Sequence, residues 1–188
     1  ETNSGTGWWA ESPPTFEMTL ADLPLDTSLF IRPYVTTIAN EVVYGDAIET
    51  PMTEEHAYNN FTFYGASKIA GEHFFKSLGA RYNLDWIGLR YMNVYGPRQD
   101  PASPYAGVIS KFVDRFAQGQ PPVIYGDGGQ TRDFVYVEDV ARANVAALFS
   151  EHGGACNVAT GSAIDLLELV DTLRDVMGVN LAPGHVAG

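Results

Sequence analysis

Tyr64 and Lys68 stand four residues apart in Tyr64-Gly65-Ala66-Ser67-Lys68, at the start of a run with helical spacing. Residues four apart share one face of a helix. An ammonium beside a phenol favours the phenolate and lowers the phenol's pKa. A tyrosine so placed can give and take a proton near neutral pH. The same spacing also occurs on ordinary amphipathic surface helices, so the pair gains meaning only from its company further along the chain. Downstream stand Arg90-Tyr91-Met92-Asn93-Val94-Tyr95-Gly96-Pro97-Arg98-Gln99 and then Tyr125-Gly126-Asp127-Gly128-Gly129-Gln130-Thr131-Arg132-Asp133-Phe134-Val135-Tyr136-Val137-Glu138-Asp139-Val140.

The elements that must position these groups can be read from hydrophobic periodicity and from Gly/Pro punctuation. Residues 1–30 read as loop. Strands are expected over 31–37 and 40–44, and a polar loop over 45–61. A helix over 64–82 comes next, then a buried strand over 84–91 that ends at an Asn93 loop. A helix over 108–118 is broken by Gly119-Gln120-Pro121-Pro122. Short strands are expected over 122–125 and 134–137, a helix over 139–149 and a strand over 155–159. Ser162, with Asp165 three residues on, has the pattern of a capping box. The apolar spacing of Leu166, Leu169, Val170, Leu173, Val176 and Met177 then predicts a helix ended by Gly178. Strands alternating with helices predict an α/β fold with parallel pairing.

Composition narrows the partners. The chain has 188 residues, of which 45% are apolar and 18% charged, the balance of a globular domain with a real core. A net charge of −12 argues against nucleic acid as a partner, so an anionic ligand would need local arginines set against the global field. Cys156 is the single cysteine, so no disulfide or cysteine-based metal site forms within one chain, and a reducing cytoplasm is the expected setting. No apolar run approaches the ~18 residues of a membrane helix, and no leader-like segment opens the chain. No membrane partner is expected.

From about 41 to 178 the sequence resembles the extended short-chain dehydrogenase/reductase family. Within it, the likeness is greatest to the NAD-dependent nucleotide-sugar epimerases of the UDP-glucose 4-epimerase type. The resemblance implies that Tyr64 takes a proton from a sugar hydroxyl as a hydride passes to a nicotinamide, and that Lys68 holds the cofactor ribose. It places Tyr91 and Met92 near the nicotinamide, Asn93 on the substrate diphosphate, Arg132 on phosphate with Arg98 as a second basic contact, and Val123 and Tyr125 against the base. Some have a plainer alternative: an Asx-turn for Asn93, a surface ion pair with Asp133 for Arg132, simple strand burial for Val123 and Tyr125. The family's serine or threonine before Val-Tyr-Gly corresponds here to Asn40, with Thr37 the nearby hydroxyl candidate.

Two departures shape the expected fold. No strand, GxxGxxG turn and helix precede Tyr64. Gly5-Thr6-Gly7-Trp8-Trp9-Ala10 fits the pattern only superficially, with bulky tryptophans in the turn and Pro13-Pro14 beyond it. At the other end, Ala182-Pro183-Gly184-His185 is either the family's Arg-Pro-Gly-Asp segment without its arginine and aspartate, or that segment is not reached. The expected architecture is therefore an incomplete Rossmann-like parallel sheet plus part of the small substrate-binding lobe, with an atypical segment over 1–40 and a partial epimerase-like domain over 41–188. Open strand edges would call for a homo-oligomer or a partner chain. Three functions stay open: a NAD-dependent epimerase of UDP-sugars, a non-catalytic UDP-sugar-binding or assembly protein, and a truncated remnant. A sugar-nucleotide 4,6-dehydratase, for which only Glu41 speaks, is a lesser alternative.

Overall fold

A computed structural model describes residues 43–45, 47–103 and 106–187. The expectations for residues 1–42, including the strand over 31–37, lie outside these. The expected strand over 40–44 is described only at its end, where Val43 and Tyr44 form a buried turn instead. Gly45 comes next with φ +69° and bridges to Asn59, and a Cβ there would lie 1.9 Å from the Asn59 carbonyl oxygen. Only glycine fits so close an approach.

Helix α1, Phe63–Tyr82, starts where the Thr62 side chain accepts a hydrogen bond from the Gly65 N–H at 3.0 Å. It ends on Asn83 in the left-handed region. Strand β1, Ile87–Tyr91, is buried on both faces and pairs in parallel with β5, Gly154–Val158. Burial on both faces is the reason its sequence reads as a nearly unbroken apolar run.

The chain then passes through Met92 into β2, Asn93–Tyr95, which pairs in parallel with β4, Thr131–Tyr136. The expected Asn93 loop is thus a short strand: Val94 and Tyr95 carry β-branched and aromatic side chains that suit a half-buried pleat. Helix α2, Val108–Ala117, buries Phe112 and Phe116, one turn apart. Strand β3, Val123–Tyr125, pairs in parallel with β7, Gly184–Val186, a strand that the sequence did not announce. Helix α3, Val137–Phe149, places Glu138 and Asp139 in its first turn, where the helix dipole favours negative charge.

Strand β6, Ala163–Asp165, pairs with β4 in the antiparallel sense, the one departure from parallel pairing among the described strands. The capping expectation is corrected here: Ser162 precedes this strand, and Asp165 is the cap of helix α4, Leu166–Met177, accepting from the Glu168 N–H at 2.7 Å. Three residues of chain are used for pairing before the helix begins. Gly178 closes α4 at φ +65°, as expected.

Two apolar cores result. One gathers Tyr44, Ile87, Leu89, Tyr91, Met92, Val135 and Val140 around β1. The other gathers Phe112, Phe116, Ile124, Leu166, Leu169 and Val170 between α2 and α4. No described helix is long and apolar enough to cross a membrane.

Candidate functional site

Tyr64 and Lys68 occupy the first turns of α1, as their spacing requires. The Lys68 ammonium lies over the Tyr64 ring, 5.2 Å from its centroid, within the reach of a cation–π contact. Tyr64 is 41% exposed, so solvent and ligands can reach it.

Four of the remaining expected residues, Met92, Arg132, Val123 and Tyr125, line two clefts. One, of about 530 Å³, is walled by Met92, Gln130, Arg132, Asp133 and Gly161, with Gly45 and Thr50 to Met52 on the facing side. The other, of about 540 Å³, is walled by Val123, Tyr125, Lys111, Arg115 and Gln130. Gln130 belongs to both and joins them. Tyr125 is 68% exposed and Val123 half-buried. Asn93 lines neither cleft; its Nδ2 donates to the Asp133 carbonyl at 3.3 Å. Tyr91 turns toward α3 and donates its hydroxyl to Asn144 Oδ1 at 2.9 Å. Arg98 is exposed at φ +69° and lines neither cleft. Tyr64 and Lys68 line neither. Thr37, Asn40 and Glu41 lie outside the described residues.

The sequence reading missed the polar centre that holds α1 in place. Arg90 of β1 uses all five of its N–H donors. Nε donates to Glu72 Oε2 at 2.9 Å, and Nη1 to the Tyr44 hydroxyl at 2.7 Å and the Glu54 carbonyl at 3.0 Å. Nη2 donates to the Tyr58 hydroxyl at 2.9 Å and to Glu72 Oε1. Tyr44 in turn donates to Asn157 Oδ1 at 2.6 Å, and Asn157 Nδ2 to the Met52 carbonyl at 3.0 Å. Arg90 and Glu72 are both buried.

Burial works against the Arg90 charge, but the hydrogen bonds that it donates to Glu72 and Tyr44 overcome it and hold the guanidinium protonated above its usual range. Burial, reinforced by the Glu72 carboxylate, pushes the Tyr58 hydroxyl up to about 12. Burial likewise raises Tyr44. The Asn157 backbone N–H, donating at 2.7 Å, holds Glu54 below the usual carboxylate range. One signal for this centre was present: an arginine inside the apolar run Ile87-Gly88-Leu89-Arg90-Tyr91 must be paired if the strand is buried. Among the described residues, no group of three His, Cys, Asp or Glu side chains could hold a metal ion.

Residues 34–159 match the NAD dependent epimerase/dehydratase family. The chain belongs to that family. A provisionally named UDP-glucose 4-epimerase of Methanocaldococcus jannaschii is 45% identical over 136 residues, covering 72% of this chain and 44% of the relative. Among solved structures, the UDP-N-acetylglucosamine 4-epimerase of Methanobrevibacter ruminantium, in complex with UDP-N-acetylmuramic acid, superposes with a TM-score of 0.77. It is 38% identical, with 82% of this chain and 50% of that one covered. The Thermus thermophilus UDP-glucose 4-epimerase in complex with NAD has a TM-score of 0.70 at 37% identity, over 82% of this chain and 50% of its own. The expected Rossmann-like α/β class is therefore correct. The chain spans about half the length of the curated relatives it matches.

Proposed function

We propose that this protein acts on a UDP-sugar as a NAD-dependent nucleotide-sugar epimerase. The observation that carries the reading is the Tyr64–Lys68 pair, stacked at the start of α1 in a chain of this family. In this reading Tyr64 accepts a proton from a sugar hydroxyl, and Lys68 favours the phenolate that does so. Thr37 orients the reacting hydroxyl. Asn93 and Arg132, with Arg98 at the edge, take the diphosphate, and Val123 and Tyr125 flank the base. Lys68, Tyr91 and Met92 would hold the nicotinamide end of the cofactor, which supplies a hydride acceptor when bound. Of these three, only Met92 lines one of the two clefts. Among the described helices none opens on a glycine-rich turn of the kind that holds a pyrophosphate.

A second reading, a UDP-sugar binder without turnover, is favoured by one feature. The two joined clefts bring Met92, Arg132, Val123 and Tyr125 together without Tyr64. Separate titrations of NAD and UDP decide between them. The epimerase reading expects both to bind and Tyr64→Phe to abolish turnover. UDP binding without NAD supports the binder, and unchanged turnover in Tyr64→Phe removes the catalytic assignment. The same reading sets the protein in the cytoplasm and covers its strand edges with a second copy or a partner chain. A stable monomer by light scattering at micromolar concentration would count against that association.

A further inference from the structure

Asp133 is a buried carboxylate in the wall of the first cleft, next to Arg132. Its two oxygens face the turn between β5 and β6. Oδ1 accepts from the Thr160 N–H at 3.0 Å and the Thr160 hydroxyl at 2.7 Å, and Oδ2 accepts from the Gly161 N–H at 2.8 Å. Its backbone carbonyl faces the other way and accepts from Asn93 Nδ2.

These contacts sit where the chain crosses from one sheet to another. Met92 links β1 to β2, and its N–H donates to the Val158 carbonyl at 3.0 Å, while residues 159–162 link β5 to β6. The Asp133 carboxylate thus holds the second crossover, while its backbone carbonyl meets the Asn93 side chain that follows the first. One crossover carries Met92 and Asn93, and the other carries Gly161 of the cleft wall. A carboxylate meeting backbone N–H groups and a hydroxyl makes charge-assisted hydrogen bonds, about twice as strong as neutral ones.

We propose that Asp133 is the positioning residue of the first cleft, its carboxylate fixing the 160–162 turn, and with it Gly161 of the wall, in the arrangement that receives a diphosphate. The proposal rests on the reading of this cleft as a nucleotide site. It gives Asp133 no contact with ligand and separates the diphosphate cleft from the base contacts. Val123 and Tyr125 lie on β3, outside the two crossovers.

The test is calorimetric titration of the full chain with UDP and, separately, with uridine. Asp133→Asn is expected to weaken UDP about tenfold, the equivalent of losing one charge-assisted hydrogen bond, while uridine changes by less than about twofold. Thr160→Val removes only the hydroxyl donor and is expected to weaken UDP about threefold, again sparing uridine. It carries the test if Asp133→Asn does not fold. UDP binding at wild-type strength in the folded variants overturns the proposal. So does a parallel loss of UDP and uridine, which would mark a general structural role. A wild-type chain that binds no UDP overturns the nucleotide reading itself, an outcome distinct from wild-type binding that survives both substitutions.

Discussion

Helices α1 and α4 are seated by opposite means. Helix α4 lays Leu166, Leu169 and Val170 into a core shared with α2, with Leu173 and Met177 partly buried beside them. Helix α1 is longer, yet it buries only Gly65 and Glu72, and its Phe63, Phe74 and Tyr82 side chains are largely exposed. What α1 has is Glu72 clasped by Arg90 and Tyr58. An apolar seat rewards burial in almost any close arrangement, whereas a buried charged pair rewards one register. In this molecule the register-fixing contact lies under the helix that carries Tyr64 and Lys68.

The comparison is broken most severely at Arg90. Arg90→Ala leaves Glu72 buried without its counter-charge and is expected to cost about 3–5 kcal/mol in urea unfolding. Replacing both members, as Arg90→Met with Glu72→Leu, is expected to restore most of that stability, because the desolvation penalty goes with the pair. A double variant as unstable as Arg90→Ala would show that Arg90 acts through Tyr44 and Glu54 rather than through Glu72.

Leu169→Ala is the matching probe of the apolar seat. Leu169 is 4% exposed, and truncating a buried leucine costs about 2–5 kcal/mol, set by how far the cavity collapses. Around α4 the same cost is expected to be recovered in part by Leu169→Met, since apolar cores tolerate changes of shape at nearly constant volume. No such tolerance is expected at Arg90, where Arg90→Lys loses the planar fork that serves four partners at once. Equal tolerance at the two positions, by urea midpoint, would erase the distinction between the seats.

This contrast also explains what the sequence showed. Helix α4 was legible because its apolar residues recur at helical spacing, and Gly178 marks its end. The position of its cap was misread because Ser162 and Asp165 both suit an N-cap, and only pairing of 163–165 with β4 decides between them. Helix α1 was legible through Tyr64 and Lys68, but its anchor was not. Glu72 reads as a solvent-facing residue until Arg90, eighteen positions on, is brought beneath it. The short strands β2 and β7 escaped for the same reason: three residues carry too little periodicity, and their partners are distant in sequence. Within the site, residue types were legible. Their division between two clefts and α1 was not, because it depends on how the sheets cross at Met92 and at 159–162.

A smaller effect separates the helix starts. Thr62→Ala and Asp165→Ala each remove a side-chain acceptor from an N-terminal N–H, and each is expected to cost about 1 kcal/mol. Because α4 is also held by its apolar face, Asp165→Ala is expected to act on global stability alone. In α1, with little buried beyond Glu72, Thr62→Ala is expected in addition to speed amide exchange through the first turn, where Tyr64 and Lys68 sit. Equal exchange in the two first turns would mean that α1 is held more broadly than by its polar anchor.

The subtlest consequence is in pH. Burial, and the hydrogen bond that the Tyr58 hydroxyl donates to the Glu72 carboxylate at 2.8 Å, favour its neutral form against the opposing Arg90 charge and raise its pKa from 10.0 to about 12. A group raised on folding contributes stability that is complete below the unfolded pKa and is lost as pH rises through the folded one. The α1 anchor should therefore weaken from about pH 10 to about pH 12, a window in which the apolar seat of α4 has no reason to change. Tyr58→Phe is expected to begin from a lower urea midpoint, having lost its hydrogen bonds, and then to decline less steeply across that window than the wild type. Tyr44, also raised by burial, keeps some slope in the variant. Identical slopes in the two proteins would show that Tyr58 does not couple alkaline unfolding to the anchor, and that Tyr44 sets the alkaline limit instead.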